Sequence, residues 1–139
     1  MHLSLTTPRG ALVDTEVEEV IAPGALGEFG VLPGHVPFLS VLKPGVFVYR
    51  TKDGARTLAV GSGVLEVTRA KGGDKILVLV EQAAHAREID RASAAQDLVS
   101  VDAEIARHKG EAGAELAAQL SRRAWAAARV DAAARVEPR

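Results

Sequence analysis

The chain has 139 residues, 17 basic and 18 acidic side chains, and no cysteine. That length holds one ordinary domain or two very small ones, the near-neutral charge argues against a general nucleic-acid binder, and the lack of cysteine excludes a disulfide framework and thiol chemistry. No apolar run approaches the roughly 18–20 residues of a membrane helix, and the N-terminal MHLSLTTPRG lacks a signal-peptide pattern, so the sequence predicts a soluble chain that meets a membrane only through partners.

The first half reads as strands. Leu3 and Leu5 alternate with His2, Ser4 and Thr6, the period of two that half-buries a strand. Residues 17–21 alternate poorly, and a bulge is one explanation. Prolines and glycines then punctuate the apolar segment 23–45, PGALGEFGVLPGHVPFLSVLKPG. Gly opens backbone angles that other residues avoid, and Pro fixes one angle and removes a donor. This segment predicts a specific path of loops and short strands. Val46 and Val48 alternate with Phe47 and Tyr49, and Val64, Glu66 and Thr68 with Leu65, Val67 and Arg69. Lys52-Asp53-Gly54 and Lys71-Gly72-Gly73-Asp74 supply hairpin turns. Residues 76–80 are apolar at every position, which predicts a strand buried on both faces. Short strands with regular turn signals argue for an all-β sandwich or barrel.

Composition changes near residue 85, and the second half reads as two helices. Over 87–107, Ile89, Ala92, Leu98, Val99, Val101 and Ile105 fall on one broad face. Residues 108–113 contain two glycines and no apolar anchor, the mark of an αα-hairpin connection. Leu116, Leu120, Ala124, Ala127 and Val130 form a second stripe. Eleven of the 25 residues in 111–135 are alanine, the best helix former but one that buries little area. A strongly helical, loosely docked hairpin is expected. The fold class is thus a mainly β sandwich or barrel, residues 1–85, followed by an antiparallel α-helical hairpin, 86–139.

Candidate functional residues are few. The four histidines, His2, His35, His85 and His108, have no metal-ligand spacing, and no nucleophile elbow or phosphate-binding loop occurs. Gly61-Ser62-Gly63 reads as a bend between strands. An enzyme is therefore the least favoured class. His35 either braces its Pro-rich turn or meets a partner. Glu28 is either a solvated acid or a contact to a basic or polar loop. Phe29, Val31 and Leu32 are core by default, one of them being free to dock. From residue 122 onward Arg122, Arg123, Arg129, Arg135 and Arg139 face only Asp131 and Glu137. These arginines either complement the helix dipole or await an acidic partner. Trp125, the only tryptophan, is a packed contact or an interface anchor.

The run Gly-Glu-Phe-Gly-Val-Leu-Pro-Gly-His at 27–35, followed by Pro37, Leu39 and Lys43-Pro44-Gly45, resembles the signature of the epsilon subunit family of bacterial F-type ATP synthases. The resemblance is dense over residues 1 to about 80 and weaker over the hairpin. It implies a ten-stranded β-sandwich and two antiparallel helices in a non-catalytic subunit of the central stalk. It implies that the sandwich docks on the gamma subunit and the c-ring, and that the hairpin folds down or extends toward the alpha/beta catalytic head to inhibit ATP hydrolysis. By resemblance, Gly27, Glu28 and Phe29 fall on the loop that contacts the c-ring, and Pro33, Gly34 and His35 on the turn that faces gamma. Arg122, Arg123 and Arg129 match the basic helix that approaches an acidic loop of the catalytic beta subunit. The location implied is peripheral, on the cytoplasmic face of the bacterial inner membrane. Some members bind ATP through an Ile-Asp-x-x-Arg-Ala run with a further Arg. Here Ile89-Asp90 is present, but Ser93 and Ser100 stand where arginines are expected. Arg91 is two residues early, about 200° around the helix. No cofactor is expected, and ATP binding should be weak or absent. The alternative is a stand-alone binding module with the same two parts.

Overall fold

The computed structural model describes residues 1–136, so Glu137 and Arg139 lie outside the described residues. Ten strands precede the helices: β1 (His2–Thr7), β2 (Gly10–Glu16), β3 (Glu19–Gly24), β4 (Gly27–Val31), β5 (Phe38–Leu42), β6 (Gly45–Thr51), β7 (Gly54–Val60), β8 (Gly63–Ala70), β9 (Gly73–Val80) and β10 (Ala83–His85). They form one curled sheet in the order β10-β7-β6-β3-β5-β8-β9-β1-β2, with β4 hydrogen-bonded to β3. Every pairing is antiparallel except that of β1 with β9. The curled sheet encloses a single core. Leu3, Leu5, Val20, Phe47, Leu58, Leu65, Ile76 and Val78 point into it, all buried.

Local chemistry sets the corners. Thr7 and Thr51 each end a strand, and each Oγ1 accepts a backbone N–H two residues on, from Arg9 and Asp53, both at 3.1 Å. A glycine follows in each case, Gly10 and Gly54, so the two turns are built alike. This side-chain cap is a recognised route into a tight turn. Between β7 and β8, Gly61 donates 2.8 Å to the Gln82 carbonyl, and the bend expected at Gly61-Ser62-Gly63 is present.

The irregular run 17–21 is not one bulged strand: β2 ends at Glu16 and β3 begins at Glu19. Val17 between them is buried, and its N–H donates to the Met1 carbonyl at 2.8 Å. The register shift in this region lies instead between Leu5 and Thr6 on β1. The strand buried on both faces is β6, not β9. Phe47 and Tyr49 enter the core while Val46 and Val48 lie under a helix. On β9, Leu77 and Leu79 remain 40% and 45% exposed. Both strands are apolar on both faces, and composition alone does not say which one the chain covers.

The helices also differ from the expected pattern. A short 3-10 turn, Ala86–Glu88, precedes α1 (Arg91–Ala106), and Ile89 is extended rather than helical. Asp90 starts the helix by accepting the Ser93 N–H at 2.9 Å, an N-cap that fixes the boundary. On α1 the inward positions are Ala94, Leu98, Val101 and Ile105, while Ala92 and Val99 are exposed. Their 4-3-4 spacing is a narrow helix–helix seam rather than a broad face. On α2 (Ala114–Ala134), Leu120 is half exposed, and the buried residues are Gln119, Ala126, Ala128, Ala132 and Ala133. Ala128 and Ala132 pack with Val46, Ala59 and Ala86, with Trp125 and Ile89 at the margin. Helix α2 therefore lies on β6 and β7, and α1 lies against α2. Alanine lets α2 approach both neighbours closely, at the cost of little buried area per contact.

Candidate functional site

The motif residues run the length of the sheet, from the β3–β4 hairpin, where Gly24 pairs with Leu42, to the turn at Gly34, which reaches Asp74 beside the β8–β9 turn. Gly27, Glu28 and Phe29, expected in a loop, belong to strand β4, which runs back along β3 with Pro23 opposite Glu28 and Ala22 opposite Phe29. The true tip of this hairpin is Ala25-Leu26, and Leu26 is fully exposed. Glu28 is exposed, Val31 is buried and Phe29 is half-buried against the core. Of the three apolar candidates Leu32 is the one left free, at 55% exposure.

The turn that follows is held from several sides. Gly34 has φ +85°, a left-handed conformation that favours glycine. His35 donates its backbone N–H to Leu32 O at 3.1 Å, and its Nδ1 lies 2.7 Å from the Val36 carbonyl. The imidazole packs on Phe38 at 4.7 Å between ring centres, and Phe38 meets Phe29 edge-on at 5.5 Å. The bracing role of His35 is thereby visible. The aromatic row also joins the two residue groups, 27–29 and 33–35, which were singled out separately in the sequence.

Beside this turn lies an uncovered apolar face. The register places Val41, Val64 and Leu79 in one row across β5, β8 and β9, and Leu39, Glu66 and Leu77 in the next. Leu39 and Val41 are 65% and 61% exposed. Contiguous exposed apolar area of this kind marks an interaction surface. Sequence reasoning missed it because it assumed that residues 76–80 were covered on both sides. The signal was the apolar outward position on two paired strands at once.

The second group of candidates lies on α2 and is not free. Arg123 Nε donates 2.6 Å to Asp102, Arg129 Nη1 lies 3.1 Å from Asp97, and Arg122 pairs with Glu104. Arg129 also stands 5.5 Å over the Trp125 ring. All three arginines thus close an ion-pair ladder onto α1. The signal for it was readable: acids at 97 and 104 and arginines at 122 and 129 are each seven apart, so antiparallel helices bring them face to face.

A cavity lies between the sandwich rim and the hairpin, lined by Gln82, Asp97, Ser100, Glu104, Trp125 and Arg129. The acids there already occupy Arg129 and Arg122. Ser93 and Ser100 offer no positive charge, and Arg91 donates instead to the Val136 carbonyl. This donor set does not suit a triphosphate. Among the described residues no group of His, Cys, Asp or Glu is arranged to hold a metal, and no helix is long and apolar enough to cross a membrane.

A family model described as the ATP synthase, Delta/Epsilon chain, beta-sandwich domain matches residues 1–86. The chain belongs to the ATP synthase delta/epsilon chain family. Among its relatives is the ATP synthase epsilon chain of Geotalea uraniireducens (strain Rf4), 50% identical over 98 residues, covering 68% of this chain and 67% of that one. ATP synthase epsilon chain 2 of Syntrophotalea carbinolica is 42% identical over 105 residues, covering 76% and 73%. The fold is also similar to a chain in the Euglena gracilis mitochondrial ATP synthase OSCP/F1/c-ring structure. There the TM-score is 0.71 at 21% identity, over 88% of this chain and 74% of that one. A chain of the Tetrahymena thermophila ATP synthase central stalk and c-ring gives 0.61 at 17% identity, over 96% of each.

Proposed function

We propose that this epsilon-family chain is a non-catalytic rotor subunit of a bacterial proton-translocating F-type ATP synthase, coupling c-ring rotation to the catalytic head and restraining ATP hydrolysis. The observation that carries the reading is the uncovered apolar face of β5, β8 and β9, adjoining the motif turn in a chain of this family. On this reading the face and the turn Pro33-Gly34-His35 receive gamma. Gly27, Glu28 and Phe29, with the bare tip residue Leu26, face the c-ring. The division is a sandwich anchor, 1–85, and a helical brake, 86–139. The complex, not this chain, supplies the membrane, and the chain lies at its cytoplasmic face.

The hairpin geometry supports a brake that moves. Its contact with the sheet is alanine-rich, and its helices are tied by surface ion pairs, which contribute only ~0.2–1 kcal/mol each. An acidic loop of the catalytic beta subunit offers Arg122, Arg123 and Arg129 the same chemistry that Glu104, Asp102 and Asp97 offer now. Opening is then an exchange of carboxylate partners rather than a loss of them.

The test is ATP hydrolysis by the cognate alpha/beta head with gamma, supplemented with the full chain or with residues 1–86. The expected result is that both bind and only the full chain suppresses hydrolysis. Binding of both without suppression removes the brake and leaves the coupling role. Failure of both to bind returns the chain to the class of stand-alone modules.

A further inference from the structure

Two side chains far from the motif grip its turn. The Gly34 N–H donates 2.8 Å to Asp74 Oδ2, and the Gly34 carbonyl accepts from Arg69 Nη2 at 3.2 Å. Arg69 Nε stands 4.0 Å from Asp74 Oδ1. One ion pair thus satisfies both backbone groups of a single left-handed residue, from 35 and 40 positions away in the chain. Both bonds are charge-assisted, the stronger class of hydrogen bond, and the Asp74 side chain is only 13% exposed. Arg69 and Asp74 flank the β8–β9 turn and lie opposite each other in register. They belong to the same two strands whose outward positions Val64, Leu77 and Leu79 form the apolar face.

We propose that Arg69 and Asp74 are positioning residues for partner docking: they lock the Pro33-Gly34-His35 turn onto the strands that carry the apolar face. Gamma then meets one preformed surface instead of a face and a mobile loop. The lock reaches further through the aromatic row, from His35 to Phe38 to Phe29, and so to the strand that carries Glu28. Preorganisation of this kind raises affinity by removing an ordering cost from the binding step. The inference rests on the gamma-docking reading above.

The test uses the full chain, with purified gamma as the probe and amide exchange at Gly34 as a readout that needs no partner. Asp74→Ala is expected to speed Gly34 exchange and to weaken gamma binding about tenfold, the scale of fixing one residue's backbone, while the free chain stays folded with a thermal midpoint lowered by the loss of one charge-assisted bond. Asp74→Asn retains an oxygen acceptor for the Gly34 N–H and is expected to keep most of the affinity. Leu77→Asp serves as the contrast, weakening gamma binding with Gly34 exchange unchanged. The inference is overturned if Asp74→Ala leaves Gly34 exchange as it was, or speeds it while gamma binds with wild-type affinity. If the wild-type chain itself does not bind gamma, the docking reading fails and the positioning role falls with it, and that failure appears in the control rather than in the variants.

Discussion

His2 sits between two carboxylates of the neighbouring strand, against Asp14 through Nε2 and 2.9 Å from Glu16 through Nδ1. The hydrogen bond to Asp14, then that to Glu16, raises its pKa above the ordinary 6.5, and the bond to His2 lowers the pKa of Glu16. A raised histidine value means stabilisation that is full below the unfolded value and is lost as pH rises through the folded one. The lowered carboxylate contributes in the opposite sense, its share being lost as pH falls through the folded value of Glu16. The urea midpoint should therefore decline as pH rises through the raised His2 value, and His2→Gln should flatten that decline. Gly63 sets a second residue-scale expectation. A Cβ there would lie 1.9 Å from the Leu79 carbonyl oxygen and 2.7 Å from Val80 Cα, and neither backbone atom can swing away. Gly63→Ala should cost about 2 kcal/mol or more in urea unfolding, as overpacking does. The bend at Gly61-Ser62-Gly63 was legible in sequence, because two glycines around a serine mark a turn. The need for the second glycine was not, since the strand that crowds it comes sixteen residues later.

At the scale of elements, period-two alternation located the strands well, because a strand's two faces meet two environments. Helix faces were read less well. Ala92 and Val99 read as inward from hydrophobicity, yet α1 packs chiefly on α2 and needs only the seam Ala94, Leu98, Val101 and Ile105. On α2 the large apolar residue Leu120 is half exposed while the small Ala126, Ala128, Ala132 and Ala133 are buried, so residue size misplaced the inward face. Charge was the better guide, since the acids of α1 and the arginines of α2 match in spacing. Replacing Asp97, Asp102 and Glu104 together by Asn, Asn and Gln should remove roughly 1.5 kcal/mol of helix–helix attachment, taking three exposed pairs at mid-range. The measurement is amide exchange along α1, which should quicken by about tenfold in the triple variant, while the strands of the sandwich keep their protection. The same quickening should appear in the wild-type chain on raising salt, because exposed pairs are screened.

For the molecule as a whole, the order of a β half and a helical half was legible, as was the motif at 27–35. The uncovered apolar face was not, because an apolar strand left bare has the same composition as one covered by its own chain. Leu79→Asp in the full chain should lower co-purification with gamma severalfold without unfolding the sandwich, since the side chain is already 45% exposed. A calorimetric titration with ATP should give no binding at micromolar concentration, because the cationic side chains nearest the hairpin cavity are already paired. The parallel pairing of β1 with β9 bears on how the chain is made. Strand β1 spans His2–Thr7, and its inner neighbour Gly73–Val80 follows some seventy residues later. During synthesis the first strand has only β2 to pair with until β9 has left the ribosome, so closure of the sheet comes late and joins distant parts of the chain. Non-local pairing of this kind slows folding, and an unpaired strand edge invites association in the interval. The nascent chain is thus most exposed to aggregation before its last long strand emerges, and a chaperone that shields β1 over that interval would raise the yield of folded protein.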